Sequence, residues 1–532
     1  MSKIKKGVLF ILVFIGVFFI GCSSIGNNEK DTSAEKNTLK EEVKEEPLTS
    51  IEAAKFTEST LSYNVIKEFE NTKDLVFQNK YSDIEGIFTF RGNSLRNSPS
   101  YGTVDVKDKE LEVLWQFNTS SSTWGGGAGW TGQPSIVKWP EELRKSMNIY
   151  DEFKDKKDFT EVIYASLDGN IYFFELESGK ESRDKIRVGN PIKGSVSIDP
   201  RGIPLLYVGE GIPERENIGF NIYSLIDGSH LYELNGIDKN ASRYWGAFDS
   251  SAIVNEATDS VIVGGENGLL YNIQLNTDYD KDKNTISIEP KVNRYKYSSP
   301  INRGKLGIEN SVATYANLAF FADNGGVIQC VDLNTLEPVW CIDGFDDTDA
   351  TLTIDIEDDK PIVYCGSEVD HQGTKGVSKI KKIDGLTGHV LWEKEFECES
   401  LLGKKPNNGG LMATNVIGKN KIDNISVFSL ARYNGFNKGG MFALDKDSGE
   451  IVWKLLFDNY MWSSPVDIYD GEGNGYILQG DSAGKVHLID GKTGKDLNTV
   501  TLNGNIESSP AVFNDIAVVA TRGGSMYGIR IK

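Results

Sequence analysis

Short apolar runs recur along most of the chain and are separated by polar turns that contain glycine. Runs such as VIYAS, LLYVG, VIVGG, LAFFA, IVYCG and IAVVA are followed by turns such as SLDGN, GENG or TRGG. A second strand then alternates apolar and polar residues, as in NIYFFEL and KVHLID. This pattern predicts β-strands joined by hairpin turns. Amphipathic helices would need apolar residues at a period of about 3.6, and the segments between the runs lack that period.

After each alternating strand comes a turn that contains Asp and usually Gly, and then a strand that carries Trp. The clearest copies are CVDLNTLEPVW at 330–340, KIDGLTGHVLW at 382–392, ALDKDSGEIVW at 443–453 and the weaker LIDGKTGKDL at 488–497. Glycines supply the positive φ that such turns need, namely Gly179, Gly388, Gly449 and Gly494. Because Trp buries a large apolar area, we expect Trp340, Trp392 and Trp453 to pack between neighbouring sheets. The motif therefore predicts architecture and not chemistry.

Each unit begins with a strand that starts with Ser-Ser-Pro or a near equivalent. The starts are QPSIV at 133–137, GSVSI at 194–198, SSAIV at 250–254, SSPIN at 298–302, TLTID at 351–355, GLMAT at 410–414, SSPVD at 463–467 and SSPAV at 508–512. A spacing of roughly 45–62 residues is typical of propeller blades or solenoid repeats. Four antiparallel strands in each unit favour a β-propeller.

The two ends of the repeat region complete each other. The last unit stops at Lys532 after its third strand, whereas LEVLWQFNT at 111–119 has the pattern of a fourth strand and precedes the first start. Pairing these segments would close the ring and remove exposed sheet edges. The sequence therefore predicts an all-β fold: an eight-bladed β-propeller of four-stranded antiparallel blades over residues 111–532, closed by an N-terminal strand.

The N-terminus has the pattern of an export signal. Three lysines precede an apolar run at 7–20, which is shorter than the roughly 20 residues of a membrane span. The run ends in Phe-Ile-Gly-Cys at 19–22, which is similar to the lipobox of bacterial lipoproteins. That resemblance implies a signal peptide over 1–21 and a diacylated Cys22 that anchors the protein on the extracytoplasmic side of the cell membrane. A secretory signal cut elsewhere is the alternative, and it also implies export.

Composition sets the remaining boundaries. Residues 22–50 are polar, charged and nearly free of aromatics, so we expect a disordered tether there, followed by a lead-in segment at 51–110. The formal charge of −20 argues against nucleic acid as a partner, because phosphate binding needs clustered Lys and Arg. With four His and five Cys, the chain has little material for metal or thiol chemistry. We expect a monomer.

The Asp-turn-Trp motif and the Ser-Ser-Pro starts together resemble the pyrroloquinoline-quinone-like (PQQ-like) β-propeller repeat family. The segment FTFRGNSLRNSPSYG at 88–102 is similar to the Phe-Arg-Gly lead-in found before such propellers. The family includes quinoprotein alcohol and glucose dehydrogenases and also a non-catalytic lipoprotein of the outer-membrane β-barrel assembly machinery. The resemblance therefore implies the fold and leaves the function open.

The quinoprotein dehydrogenases usually carry two adjacent cysteines over the quinone, and Glu, Asn and Asp ligands for calcium. This sequence has no adjacent cysteines, and the calcium ligands have no counterparts at matching motif positions. We therefore expect no cofactor; PQQ and calcium belong only to the alternative, a PQQ-dependent oxidoreductase. A carbohydrate-active propeller enzyme is a third hypothesis, which would need two carboxylates about 5–10 Å apart.

Aromatic residues concentrate in the loops that enter the start strands. These loops include STWGGGAGWTGQ at 122–133, RYWGAF at 243–248, RYKYSSP at 294–300 and NYMWSSP at 459–465, and the turn ARYNGFNKGG at 431–440 projects to the same side. We expect one aromatic mouth that binds a small molecule, a glycan or an envelope protein, formed by Trp124, Trp130, Trp245, Trp462, Arg432 and Tyr433. Aromatic plugs that only pack the funnel are the alternative.

Two further candidate sites are weaker. The segment at 278–289 places four carboxylates at calcium-loop positions, Asp278, Asp280, Asp282 and Glu289. Lys283 occupies the position where such a loop needs Gly, which favours a solvated hairpin. Cys330 and Cys341 flank a turn symmetrically and are a candidate disulfide in an exported protein, with buried free thiols as the alternative.

Taken together, these patterns favour a membrane-anchored extracytoplasmic lipoprotein without enzymatic activity. Its propeller would serve as a binding or scaffolding platform in the cell envelope.

Overall fold

The computed structural model describes residues 46–57, 61–121, 128, 130–215, 217–302, 304–403 and 407–532. The chain separates into two units, residues 1–46 and 47–532, and the elements below belong to the second. The predicted lipid site Cys22 and the predicted mouth residue Trp124 lie outside the described residues. None of the helices in the described ranges is long and apolar enough to cross a membrane.

Eight small sheets form a ring, which confirms the predicted eight-bladed β-propeller. From the axis outwards, the first four blades contain Ser135–Val137, Glu161–Ala165, Asn170–Glu175 and Ile186–Arg187 (blade 1); Ser197–Ile198, Leu205–Gly209, Gly219–Ser224 and His230–Asn235 (blade 2); Ile253–Asn255, Ser260–Gly264, Leu269–Gln274 and Lys291–Ser298 (blade 3); Ala313–Tyr315, Leu318–Ala322, Val327–Asp332 and Glu337–Asp343 (blade 4).

The other four blades contain Thr353–Glu357, Lys360–Gly366, Lys375–Asp384 and Val390–Glu399 (blade 5); Val416–Ile417, Ile425–Ala431, Gly439–Asp445 and Ile451–Phe457 (blade 6); Val466–Tyr469, Gly475–Gly480, Lys485–Asp490 and Asp496–Thr501 (blade 7); Ala511–Phe513, Ile516–Thr521, Ser525–Ile531 and Leu111–Asn118 (blade 8). In blade 8, Leu111–Asn118 pairs antiparallel with Ser525–Ile531, which confirms the predicted closure.

The lead-in adds strands that the repeat pattern does not predict. Phe56–Thr57 and Ser62–Ile66 extend the outer edges of blades 4 and 3, while Gly86–Ile87 and Ser100–Tyr101 pair with the innermost strands of blades 1 and 8. The remaining elements are insertions: helices Glu141–Ser146 and Asp151–Lys154, 3₁₀ turns Pro300–Asn302 and Asn420–Ile422, the hairpin Asp278–Asp280 with Thr285–Ser287, and the pair Glu368–Val369 with Gly409–Gly410.

Two of the predicted blade starts are displaced. The Ser-Ser-Pro at 298–300 ends the fourth strand of blade 3 and begins a 3₁₀ turn, and blade 4 starts only at Ala313. The reason is that the alternating sequence VNRYKYS continues a ladder from Lys291 to Ser298, with partners on both sides. The loop RYKYSSP is therefore a strand and not part of the mouth. Blade 6 starts at Val416, just after the predicted GLMAT.

The predicted Cys330–Cys341 disulfide is wrong. A bulge after Cys330 shifts the hairpin register, so that Cys330 faces Trp340 and Cys341 faces Gln329. Successive side chains of a strand point to opposite faces. Cys330 therefore packs in the core between blades 4 and 5, and Cys341 packs between blades 3 and 4. Both are buried thiols that form no disulfide.

The hydrophobic core is divided among the interfaces between blades. Each of eight clusters joins two neighbouring blades, and one of them joins blade 8 to blade 1 through Trp115 and Phe174. The middle strands are buried along their whole length because both of their faces are covered, as in Glu161–Ala165 and Leu205–Gly209. No blade can bury its apolar surface alone, so the ring folds as one body.

The Asp-turn-Trp motif forms a latch between neighbouring blades. Each indole N–H donates to a backbone carbonyl in the corresponding turn of the next blade, at 2.8–3.0 Å: Trp115 to Leu176, Trp340 to Gly385, Trp392 to Lys446 and Trp453 to Gly491. The ring also covers the turn glycine of that blade, where a Cβ on Gly494 would lie 2.4 Å from Trp453. The predicted packing of the tryptophans between sheets is confirmed.

The Ser-Ser-Pro starts form a belt of hydroxyl groups around the axis. At six of the eight starts, a backbone N–H donates to the Ser or Thr hydroxyl of the next blade, at 2.7–3.2 Å: Gln133 to Ser195, Ser195 to Ser251, Ser251 to Ser311, Ser311 to Thr351, Thr351 to Thr414, and Thr414 to Ser464. At the blade 8 start, the N–H of Ser509 donates instead to the carbonyl of Gly132 at 3.1 Å.

Residues 86–101, which we call the axial segment, run through the centre of the ring and hydrogen-bond to every blade. Its two short strands pair with blades 1 and 8. Between them, it bonds to backbone groups of the other six blades: Ile198, Ala252, Thr314, Ile354, Asn415 and Pro465. The inner edges of the blades are therefore satisfied by a peptide that precedes the repeats in sequence.

Two buried arginines carry much of this bonding. Arg91 donates to the carbonyls of Pro465 and Asn415 at 2.6 and 2.8 Å. Arg96 donates to the carbonyls of Val312 and Ser251, both at 2.9 Å, and to groups of the axial segment itself. Burial lowers the pKa of each arginine to about 10, so both stay charged at neutral pH.

The glycine of the Phe-Arg-Gly sequence shapes this segment. Gly92 has φ +80, and a Cβ there would lie 1.9 Å from the carbonyl oxygen of Ser98. Only glycine allows the chain to fold back so closely. The fold-back directs the Arg91 side chain towards blades 6 and 7.

We expect Arg96→Met to lower the free energy of unfolding by about 3–5 kcal/mol, because it leaves buried carbonyls in two blades without a donor. Urea unfolding of the purified chain measures this change. The exposed Arg187 in blade 1 offers the control, and Arg187→Met should change stability by less than about 0.5 kcal/mol. Equal effects of the two variants would show that the axial segment does not brace the ring.

The latch predicts a difference between two glycine substitutions with similar backbone strain. Gly494 (φ +70) faces Trp453, whereas Gly304 (φ +77) has no atom within 4 Å of its built Cβ. Gly304→Ala should cost about 1 kcal/mol for the left-handed backbone alone. Gly494→Ala should cost roughly 2–4 kcal/mol, because the indole must also move. Thermal and urea unfolding of both variants test the latch, and equal losses would contradict it.

Candidate functional site

The loops that enter the start strands surround a mouth on the propeller axis. A cavity of about 110 Å³ lies in this mouth, with Phe90 of the axial segment among its lining. Hydroxyls of the belt contribute to its wall, including Ser195, Ser251 and Ser311. Because the axial segment fills the centre of the ring, the cavity is a dead end and not a channel.

One half of the mouth is strongly acidic. Blades 3, 4 and 5 contribute carboxylates from their entering loops, namely Asp249, Glu309, Asp347 and Asp349, and from the turns between second and third strands, namely Glu266 and Glu368. Asp249, Glu309 and Asp349 line the cavity directly. The turns and entering loops of adjacent blades meet at the axis, which brings together residues that are 119 positions apart at most.

The part of the acidic half at blades 2–4 contains its own cation. Lys193 bonds to Asp249 and lies 3.4 Å from Glu266. Burial opposes the charge of Lys193, but the surrounding carboxylates outweigh that effect and raise its pKa. Trp245 donates its indole N–H to Glu266 at 2.5 Å, and the Asn324 amide donates to Glu309 at 2.7 Å. Each of these three carboxylates therefore has at least one donor, although one buried oxygen of Asp249 has none among the described residues.

The three carboxylates that blade 5 contributes to the mouth lie in a different environment. Asp347, Asp349 and Glu368 each keep one buried carboxyl oxygen without a hydrogen-bond donor among the described residues. Asp349 and Glu368 are close enough to share a proton. Burial, followed by the mutual repulsion of the carboxylates, raises the pKa of all three groups well above the usual range. This group of three, which we call the blade 5 acids, forms no ion pair with a described lysine or arginine, although Lys193 lies close enough to favour the charged form of Asp349.

The other half of the mouth is aromatic. Trp130 and Trp462 meet edge to face with ring centroids 6.0 Å apart, and Tyr460 packs on Trp462 at 5.7 Å. Arg522 lies over the Trp130 ring at 4.9 Å. Trp462 is 7% exposed, lines the cavity and has a buried indole N–H without an acceptor among the described residues. The mouth thus combines carboxylates on one side with indoles on the other.

The structure brings together most of the predicted mouth residues that it describes. Trp130 and Trp462 touch, and Trp245 reaches the acidic half through Glu266. The Arg432 guanidinium stacks over the Tyr460 ring at 4.3 Å and so contacts the aromatic half of the mouth. Tyr433 does not join them, because it packs on Phe442 and Phe396 against the outer strand of blade 5.

The weak calcium-loop candidate forms an ordinary hairpin. Asp278 and Asp280 lie on one strand, and the Asp280 carboxylate accepts the backbone N–H groups of Asp282 and Lys283 at 3.0 Å. Lys283 also pairs with Asp280 at 2.7 Å. The described groups whose ligand atoms lie close enough to share one ion do not include Glu289 or these aspartates.

Sequence reasoning missed the acidic half of the mouth. Its signal is positional, because Asp249, Glu309 and Asp349 each stand one or two residues before a start strand's hydroxyl. Three neighbouring blades therefore repeat a carboxylate at the same place. The fourth start was assigned too early in the chain, and this error hid the position of Glu309 in the pattern.

Comparisons with known proteins agree on the repeat. Residues 437–532 match the family described as outer membrane protein assembly factor BamB. No curated protein matches the chain. BamB from Moraxella catarrhalis aligns with a TM-score of 0.49 at 16% identity, over 80% of this chain and 98% of that one. Quinohemoprotein alcohol dehydrogenase from Comamonas testosteroni aligns with a TM-score of 0.55 at 11% identity, over 84% of this chain and 80% of that one. The latter likeness shows a shared propeller fold.

The mouth does not suit the quinone that such a fold implies. PQQ is a planar polycarboxylate, whereas the cavity is walled by Asp249, Glu309 and Asp349, and Lys193 is the one cation among the described residues of its lining. Its volume of about 110 Å³ is also far below the roughly 300–1,000 Å³ of most ligand pockets. Repulsion between the PQQ carboxylates and the acidic wall disfavours binding of the quinone, and so does the small volume of the cavity.

The blade 5 acids predict a stability that falls as pH rises. Their folded pKa values are raised, so the folded state holds protons that the unfolded chain releases above pH about 4. The free energy of unfolding should therefore decrease from pH about 4 upwards, through the raised pKa values. Glu368→Gln should flatten this decrease, and Glu289→Gln on the surface should not. Urea unfolding at a series of pH values measures both slopes, and an unchanged slope in Glu368→Gln would contradict the assignment.

Proposed function

We propose that this chain, a β-propeller of the PQQ-like repeat family, is a binding scaffold of the cell envelope and not an oxidoreductase. The observation that carries the proposal is the dead-ended mouth, which presents carboxylates and indoles around a cavity that does not suit a quinone. Such a surface recognises ligands or partners, and it needs no redox group to do so.

The family description supports the envelope as the place of action. The matched model is described as an outer membrane protein assembly factor, and it covers blade 7, the three inner strands of blade 8 and the outer half of blade 6 in this chain. An assembly factor acts by holding other proteins, for which a rigid ring with an exposed rim is suited. We assign the same kind of role, a scaffold for envelope components, to this chain.

The N-terminal sequence supports an anchored, extracytoplasmic form. The charged n-region, the apolar run at 7–20 and Cys22 have the order of a lipoprotein signal. The polar residues at 23–50 would then act as a tether between the acyl chains and the propeller. A tethered propeller searches the region near the membrane surface at a raised effective concentration.

The rim offers a contact point for a partner. Tyr244 is 83% exposed, next to Trp245 on the loop that enters blade 3. Large aromatic residues at a rim are frequent hot spots of protein interfaces, because they bury much area at a small loss of side-chain entropy. We assign Tyr244 and Trp245 to the partner-binding part of the mouth.

Site-specific photo-crosslinking in the native host tests the proposal. A photoreactive phenylalanine analogue at Tyr244 should give a defined adduct with an envelope component, and the adduct should disappear with Trp245→Ala. The same analogue at Tyr279, on the hairpin inserted in blade 3, should give none. Cys22→Ala should move the protein from the membrane to the soluble fraction and reduce the adduct severalfold.

The alternative function, a PQQ-dependent oxidoreductase, can be tested by an activity assay. Addition of PQQ and calcium to the purified chain, followed by a dye-reduction assay, should give no activity. Reduction that depends on Glu309 and saturates with PQQ would contradict the scaffold proposal and establish the oxidoreductase. Equal crosslinking from Tyr244 and Tyr279 would remove the rim assignment.

A further inference from the structure

The blade 5 acids form a carboxyl-rich site that makes no ion pair with a described lysine or arginine. Glu368 is 1% exposed, and its free oxygen has no donor among the described residues. Among the described residues, the Asn408 amide donates to its other oxygen at 3.1 Å. Buried carboxylates are normally paired with a cation or hydrogen-bonded at both oxygens. A positively charged guest would supply what the fold leaves out.

The neighbouring carboxylates show which kind of cation this wall accepts. Asp249 and Glu266 hold the ammonium group of Lys193, which extends from the loop that enters blade 2. The blade 5 acids repeat this arrangement of an Asp from an entering loop and a Glu from a turn. They lie two blades further round the ring than Asp249 and Glu266, with blade 4 between. In this second copy, no described lysine forms an ion pair with Asp349 or Glu368, because the ammonium group of Lys193 is paired with Asp249 and Glu266. An ammonium group from a ligand would complete the copy.

A bare metal ion suits the mouth less well. Two described groups bring three ligand atoms within 4.8 Å: Asp249 with Glu266 and Glu309, and Asp347 with Asp370 and His371. The first group holds Lys193. In the second, Lys305 lies 3.4 Å from Asp370 and 3.0 Å from His371. The three blade 5 acids are not such a group, so their oxygens do not converge on a single ion.

The opposite wall specifies the other end of the ligand. The indole N–H of Trp462 is buried and has no acceptor among the described residues, and the Trp130 ring packs edge to face beside it. The cavity of about 110 Å³ equals the liquid volume of about four water molecules. A ligand inside it therefore has only a few non-hydrogen atoms, although its remainder can extend out of the mouth.

We propose that the axial cavity binds a primary amine whose ammonium group lies between Asp349 and Glu368, and whose acceptor oxygen receives the indole N–H of Trp462. Small amino alcohols, or larger molecules that end in an amino-alcohol group, have this chemistry. The inference rests on the mouth being a binding site, as in the proposed function. It needs neither the lipid anchor nor a protein partner.

Isothermal titration calorimetry of the purified full chain with ethanolamine hydrochloride tests this inference. We expect one binding site in the wild type, and no heat with ethylene glycol, which has similar size but lacks the charge. Glu368→Gln and Asp349→Asn should weaken ethanolamine binding about ten- to a hundredfold, because each removes a charge-assisted hydrogen bond. Asp282→Asn, a surface change in the blade 3 hairpin, should leave the affinity unchanged.

The variant Trp462→Phe tests the second contact. It keeps the aromatic ring and removes the N–H, so ethanolamine should bind about fivefold to tenfold more weakly, while propylamine, which has no acceptor oxygen, should bind the variant and the wild type equally.

Several outcomes would overturn the inference. The absence of ethanolamine binding to the wild type is one, and equal binding to wild type and Glu368→Gln is another. Calcium chloride that binds more tightly than ethanolamine and loses its binding in Glu368→Gln would identify a metal site instead. Because crosslinking at the rim is measured separately, a failure here leaves the scaffold proposal standing, and a failure there does not affect the titration.

Discussion

The structure depends on how the backbone groups at the centre of the ring find hydrogen-bond partners. Eight innermost strands converge on the axis, and each has one edge with no further strand of its own blade beside it. Buried N–H and C=O groups without partners cost free energy. The axial segment supplies partners in every blade, and the hydroxyl belt joins neighbouring starts. The same peptide that satisfies the inner edges therefore also closes the centre of the propeller.

This closure determines what the mouth can do. With Phe90 of the axial segment in its lining, the axial cavity is small, and its character is decided by the loops that enter each blade. Blades 3 to 5 bring carboxylates to it, and the indoles lie on blade 1 and blade 7. Taking so many carboxylates out of water raises their pKa values. The mouth therefore keeps ionisable groups in an electrostatically unfavourable environment, and a site of this kind is a candidate for ligand recognition.

The rest of the ring is held by repeated local devices. The indole latch joins outer strands to the next blade, the belt joins inner strands, and an apolar cluster fills each interface. The latches explain why Asp, Gly and Trp recur at fixed distances in the sequence. They also explain why those residues are unavailable for chemistry, since the indole N–H groups are already bonded to backbone carbonyls. We therefore place function in the loops, whose side chains are not part of the latches.

The sequence by itself determined the blade architecture, because strand periodicity, turn glycines and the latch tryptophans are local signals that repeat. It also predicted the closure by Leu111–Asn118 and most of the aromatic mouth. It misplaced the start of blade 4 and suggested a disulfide, since a register is set by cross-strand partners and one bulge moves Cys341 to the other face. Only the tertiary structure decided the rest. Arg91 and Arg96 bond to blades that are far apart in the chain, and closing the ring brings those partners within hydrogen-bond distance. The same closure places Asp349 of blade 5 and Trp462 of blade 7 around one cavity.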